Sequence, residues 1–186
     1  MRLKLAAIAL GFVVVASAFG ASAFTTASVD RTTSISVASD TNGLIGFAAG
    51  NASTGVVSTT SSGELVIDFS GDSANAAGVN DNATFTVGEN VSTASNSNAF
   101  VITNNDDAQH DFNVQYNPND AAIVGDSTQN VQFAIYKGTK LVGVASEESA
   151  SGQILVNSTE SVYVDVTVNT RGTSVSDLSG NLNVTA

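Results

Sequence analysis

The sequence predicts an all-β fold: a single antiparallel β-sandwich, jelly-roll-like, preceded by a cleaved signal peptide and a long N-terminal strand. Three observations carry this. Apolar residues recur at every second position in a series of short runs, clusters of Gly, Asn, Asp and Ser separate those runs, and no segment after residue 24 keeps a helical period for three turns. The runs are Leu65, Ile67 and Phe69; Phe85 and Val87; Phe100 and Ile102; Phe112, Val114 and Tyr116; Val131, Phe133 and Ile135; Val162, Val164, Val166 and Val168; and Leu182 and Val184. Each set fills one face of a half-buried strand. Turn chemistry falls at Ser70-Gly71-Asp72-Ser73, Asn104-Asn105-Asp106-Asp107 and Tyr116-Asn117-Pro118-Asn119. Lys137-Gly138-Thr139, between Val131–Tyr136 and Leu141–Val144, predicts a hairpin. Ala74–Gly78, Ala121–Val124 and Ser146–Ala150 are each long enough for one helical turn at most.

The first residues read as a secretory signal. Arg2 and Lys4 precede an uncharged stretch from Leu5 to Ala18, and Gly20-Ala21-Ser22-Ala23 supplies a small-x-small cleavage site, which makes 1–23 the leader. Leu5 to Phe24 would also reach across a bilayer, but no basic stop-transfer cluster follows. After cleavage the chain keeps four basic and seventeen acidic residues, a charge of −13, in a length that suits one domain, 38–186, behind the segment 24–37.

Composition excludes several classes of function. With no Cys, there is no disulfide framework, zinc-thiolate site, iron–sulfur centre or cysteine nucleophile. A formal charge of −11 on the whole chain excludes a nucleic-acid partner that would be held by clustered Lys and Arg. Only 12% of residues are charged, and 24 Ser, 19 Thr and 18 Asn carry the solubility instead. An acidic, Lys-poor surface suits high salt, where charge is screened over a few ångströms.

Residues 24–37 stand apart. From Ala21 to Thr41 there is neither Gly nor Pro, and Ala27, Val29, Thr33, Ile35 and Val37 share one parity, broken by Arg31, while Ser28, Asp30, Thr32, Ser34 and Ser36 share the other. Phe24 to Val37 would extend about 46 Å at roughly 3.3 Å per residue, about twice a usual strand. A signal peptidase would therefore release a long amphipathic ribbon at a free end. Such a ribbon serves either as the first strand of its own sandwich or as a strand added to the open edge of a neighbouring copy. The second use is head-to-tail and propagates.

Ala23-Phe24-Thr25-Thr26 followed by Val29-Asp30-Arg31-Thr32, then Phe100-Val101-Ile102-Thr103-Asn104-Asn105 and Glu160-Ser161-Val162-Tyr163-Val164, together resemble a family of secreted haloarchaeal proteins similar to the camelysin and TasA-type biofilm fibre proteins. The resemblance implies a jelly-roll subunit exported and polymerised into extracellular fibres. It gives the intersubunit strand to Phe24, Ala27, Val29, Arg31, Thr33, Ile35 and Val37.

Camelysin has been described as a metallopeptidase, and the residues here do not support that chemistry. A zincin needs two His at i and i+4 around a Glu, but His110 is the single histidine, between a polar turn and a strand. No Gly-x-Ser-x-Gly elbow accompanies it for a serine triad. The expectation is no catalytic residues, no metal and no cofactor. Asn104-Asn105-Asp106-Asp107 with Asp111, and Asn117, Asn119 and Asp120, offer oxygen ligands of the kind Ca²⁺ takes, yet lack EF-hand spacing and read as solvated turns. Five sequons, at Asn51, Asn82, Asn90, Asn157 and Asn183, are candidate glycosylation sites in an exported chain.

Two functions follow from different classes. One is a structural subunit of an extracellular filament or biofilm matrix, with copies of itself as partner. The other is a monomeric secreted module that binds a glycan or surface, which would need exposed aromatics and has no Trp and only Tyr116, Tyr136 and Tyr163 to offer beside its phenylalanines.

Overall fold

Period-two alternation becomes two facing layers in the computed structural model, which describes residues 42–52, 55–69, 79, 82–88, 94–125, 130–171 and 177–186. The signal peptide 1–23, the strand 24–37, Ser70–Ser73, Ala74–Gly78 and Asn90 lie outside the described residues. The described strands are β1 (Ile45–Ala49), β2 (Val57–Thr59), β3 (Leu65–Ile67), β4 (Thr84–Val87), β5 (Phe100–Asn104), β6 (His110–Pro118), β7 (Val131–Lys137), β8 (Lys140–Ser146), β9 (Gln153–Val156), β10 (Ser161–Asn169) and β11 (Gly180–Thr185). All the described pairings are antiparallel.

One layer runs β1-β5-β10-β7-β8, five strands across. β4 continues the row of β5, since β5 pairs with Ser161–Val164 of β10 and β4 with Val166–Asn169. The other layer has three strands, β11-β6-β9, and β2-β3 form a separate hairpin. From β5 onward the chain passes repeatedly from one layer to the other, in the jelly-roll manner, with β7 and β8 as the one hairpin kept within a layer.

The apolar parity of β5, β6, β7, β9 and β10 faces the partner layer. Phe100, Ile102, Phe112, Val114, Ile135, Val156, Val164 and Val166 are fully buried. Removing side chains of this size from water contributes about 1.5–3 kcal/mol apiece. Tyr116 and Phe133 join the layers with ring centroids 5.4 Å apart. β8 packs against both β6 and β9. At Gly143 a Cβ would come within 2.7 Å of Ile154 Cδ1, so glycine is what lets β8 and β9 approach so closely. The small layer is thus set over the β8 side of the large one, with β9 above β8 and β11 at the opposite edge.

The 137–139 hairpin forms as expected. Lys137 pairs with Lys140 across a two-residue loop in which Gly138 takes φ +59°, the left-handed first position of a II′ turn. Ala121–Ile123 makes a single 3₁₀ turn capped by Asp120, whose Oδ1 accepts from Ala122 N at 2.9 Å.

Three expectations are corrected. Tyr116-Asn117-Pro118 is strand rather than turn, because β6 extends to Pro118 opposite β11. Ser146–Ala150 makes no helical turn; Ser146 ends β8, and Ser146 N donates to Ser149 O across a bend. Phe85 is 44% exposed rather than core, because it pairs with Val168 near the far end of β10 and packs edge-on against Phe69 instead.

Candidate functional site: the edges of the small sheet

A sheet edge is defined by where its backbone groups point, and two sets of hydrogen bonds fix this for the small layer. Asn119 N donates to Ser179 O at 2.8 Å, one step before the Gly180–Pro118 pair. In an antiparallel ladder, hydrogen-bonded and non-bonded pairs alternate. Asn181, Asn183 and Thr185 therefore bond to β6, and the N–H and C=O of Gly180, Leu182 and Val184 point away from it. On the other side of β6, Val114 N donates to Ser151 Oγ at 2.9 Å and Val114 O accepts from Ser151 N at 2.8 Å. Even-numbered residues of β6 thus face β9, in agreement with the first phase.

That phase explains Pro118. Its ring nitrogen lies on the side of β6 where β9 has already ended, since β9 pairs only with His110–Asn113, so the missing N–H removes no ladder bond. It also explains Gly180, where a Cβ would meet Asn117 O at 2.5 Å and the Tyr116 ring at 2.7 Å. The Tyr116 hydroxyl donates to Leu178 O just before β11 begins, tying that strand to the core. Burial, with the charges of Glu147 and Asp177 adding to it, pushes the Tyr116 phenol up to about 12.

The two edges differ in chemistry. On β9 the same alternation sends Leu155 O outward, and Lys137 Nζ donates to it at 2.8 Å while also pairing with Glu160 at 2.8 Å. A lysine across an edge strand blocks the approach of another chain. On β11 no described residue bonds to the outward groups of Leu182 and Val184. Both side chains point inward, and both are only partly buried. Across the sandwich, Ile45 and Phe47 on the β1 edge of the large layer are also partly buried.

The intersubunit residues expected from sequence, Phe24, Ala27, Val29, Arg31, Thr33, Ile35 and Val37, lie outside the described residues. Of the sequons, Asn82 is exposed in a turn at φ +56°, and Asn183 is exposed on the outer face of β11. Asn51 Oδ1 accepts from Asn98 at 3.3 Å and 3.4 Å. Asn157 accepts from Gln109 Nε2 at 2.8 Å and donates to Glu160 at 2.9 Å.

His110 opens β6, and its Nε2 meets Asp106 Oδ2 at 2.7 Å on a half-exposed corner. Bonding to His110 and to Asp107 N holds the Asp106 carboxyl below its ordinary range. Among the described residues no hydroxyl bonds to His110 and no group of three His, Asp or Glu gathers as a metal cage. Asn104, which the sequence placed in a solvated turn, is buried and builds the corner: its Nδ2 donates to Ala108 O, Val156 O and Asn157 O at 2.7, 3.1 and 3.1 Å. Tyr116 and Tyr136 are 6% and 7% exposed and present no stacking face to a sugar.

Sequence reasoning missed two buried acids. Glu147 takes backbone N–H donors from Asn130 and Val131, capping the start of β7. Asp165, on the outward parity of β10, is 5% exposed, and its Oδ1 has no hydrogen-bond partner among the described residues. A Cβ on Gly88 would lie 2.1 Å from that oxygen. Burial pushes the Asp165 carboxyl up to about 6. Its place in an otherwise valine-rich run, between Val164 and Val166, is the one signal that marked it. Among the described residues no helix is long and apolar enough to cross a membrane. Comparison with family models, with characterised proteins and with solved structures gave no match.

Proposed function

We propose that the chain is an exported structural subunit that polymerises head to tail into an extracellular filament or biofilm fibre, each copy lending residues 24–37 as a strand to the next. The observation that carries this reading is the mismatch of the layers: five strands across face three. A sandwich with unequal layers leaves part of the wider one uncovered by the narrower, and on the β1 side Ile45 and Phe47 stay only partly buried although the β2–β3 hairpin packs against β1. The sequence holds, behind its leader, a 14-residue alternating segment of the shape needed to fill such a place. A cysteine-free exported domain has no disulfides to stabilise it, and completion by a neighbour would supply that stability through association. The protein acts as scaffold and carries no catalytic machinery; the acidic surface is its adaptation to salt.

Deletion of 24–37 tests the reading. The truncated protein should remain a soluble monomer without fibres under negative stain in high salt, while the mature 24–186 chain forms them. Fibres from the truncated protein would refute the role given to that segment.

A further inference from the structure

We infer that the acceptor for the incoming strand is the outer edge of β11, with the ladder made by Gly180, Leu182 and Val184; this rests on the filament reading. Three observations converge on that edge. Each of those residues turns one N–H and one C=O away from β6. The small layer lies toward β8, so a strand added beside β9 would overhang the large layer, whereas one added beside β11 would extend the small layer toward β1, where the β2–β3 hairpin packs. β9 is closed to a guest by Lys137 on Leu155 O, and β11 has no such guard among the described residues. Addition to β1 or β8 would widen the layer that is already the wider one.

The occupant is residues 24–37 of a second copy. Its apolar parity, Val29, Thr33, Ile35 and Val37, would continue the inward row of Leu182 and Val184, and its serine parity would lie outside beside Asn181, Asn183 and Thr185. Six residues of β11 offer about 20 Å of ladder at roughly 3.3 Å per residue, well within the length of the donor.

The absence of cysteine makes the test clean. Paired residues on neighbouring strands stand within disulfide reach. Mature chains carrying one cysteine on the donor (Ser28→Cys, Ser34→Cys or Ser36→Cys) are mixed with size-tagged chains carrying Asn183→Cys on β11 or Leu155→Cys on β9. The mixtures are assembled in high salt, oxidised and run on non-reducing gels. Heterodimers should form several-fold more with the β11 cysteine than with the β9 one, for at least one donor position. Fibres that cross-link through β9, or through neither edge, overturn the assignment to β11 and leave the filament reading standing. Absence of both fibres and heterodimers overturns both. As a second variant, Val184→Pro removes an N–H that points away from β6; it should abolish fibres while far-UV circular dichroism stays as in the parent and the melting temperature falls no further than in Val184→Ala, which keeps that N–H and should still form fibres. Fibres from a folded Val184→Pro chain would also overturn the assignment.

Discussion

β9 and β11 flank the same central strand, yet their outer backbones meet different surroundings. Beside β9, Lys137 reaches from the β7–β8 hairpin to Leu155 O and is itself held by Glu160, so the edge is occupied by a charge. Beside β11, the run Gly180–Thr185 carries no charged residue. Of the four basic residues that follow the leader, Lys137 and Lys140 stand at the hairpin on the guarded side. The difference teaches that a chain with few lysines protects its edges selectively. The unprotected edge is where association is to be sought.

The largest effect expected on this contrast is in the core beneath each edge. Phe112, fully buried on the stretch of β6 that pairs with β9, should cost about 3–5 kcal/mol on Phe112→Ala. Val184→Ala, at a half-buried site, should cost the isolated subunit less than about 1.5 kcal/mol. Denaturant unfolding of the 24–37 deletion measures both, and equal costs would remove the energetic asymmetry between the two sides.

Asp165→Asn alters stability without touching either edge. The folded state raises this carboxyl from 3.8 to about 6, so it binds its proton more tightly when folded, and the penalty for its charge sets in as pH rises through that window. Asp165→Asn should therefore stabilise the subunit by up to about 3 kcal/mol at pH 7, with most of the gain lost by pH 4. Melting curves at the two pH values measure it; an equal gain at both would show that charge burial is not the cause.

Asn104→Ala removes the amide whose two N–H groups, one of them shared, reach three carbonyls and tie the end of β5 to the corner beyond β9. It should cost about 1–3 kcal/mol, since carbonyls are left unpaired. Hydrogen exchange should quicken in β9 while that of β11 stays unchanged. The smallest effect on stability belongs to Lys137→Ala, at most about 1 kcal/mol for a partly exposed pair. Its consequence is for association: with Leu155 O released, light scattering at high protein concentration should rise above the parent. No rise would mean that Lys137 does not guard the edge.

Much of this molecule was written in its pattern. Alternation located β5, β6, β7, β10 and β11 with the correct inward parity, because a period of two admits one buried face whatever the neighbours are. Turn chemistry located the hairpin at Gly138, since a left-handed position there requires little more than glycine. The same chemistry misled at Asn117-Pro118, because proline tolerates a strand only where its missing N–H faces a vacancy, and the vacancy is created by the early end of β9. The burial of Asn104 was likewise illegible, and that of Asp165 was hinted at only by its valine neighbours: a polar residue is buried or exposed according to which distant strand crosses over it. By itself the sequence determined the class of fold, the inward face of each strand and the amphipathic character of residues 24–37, all properties of local spacing. The tertiary structure alone decided the order of the strands, the unequal width of the layers and which edge received a lysine, because these depend on contacts between residues far apart in the chain.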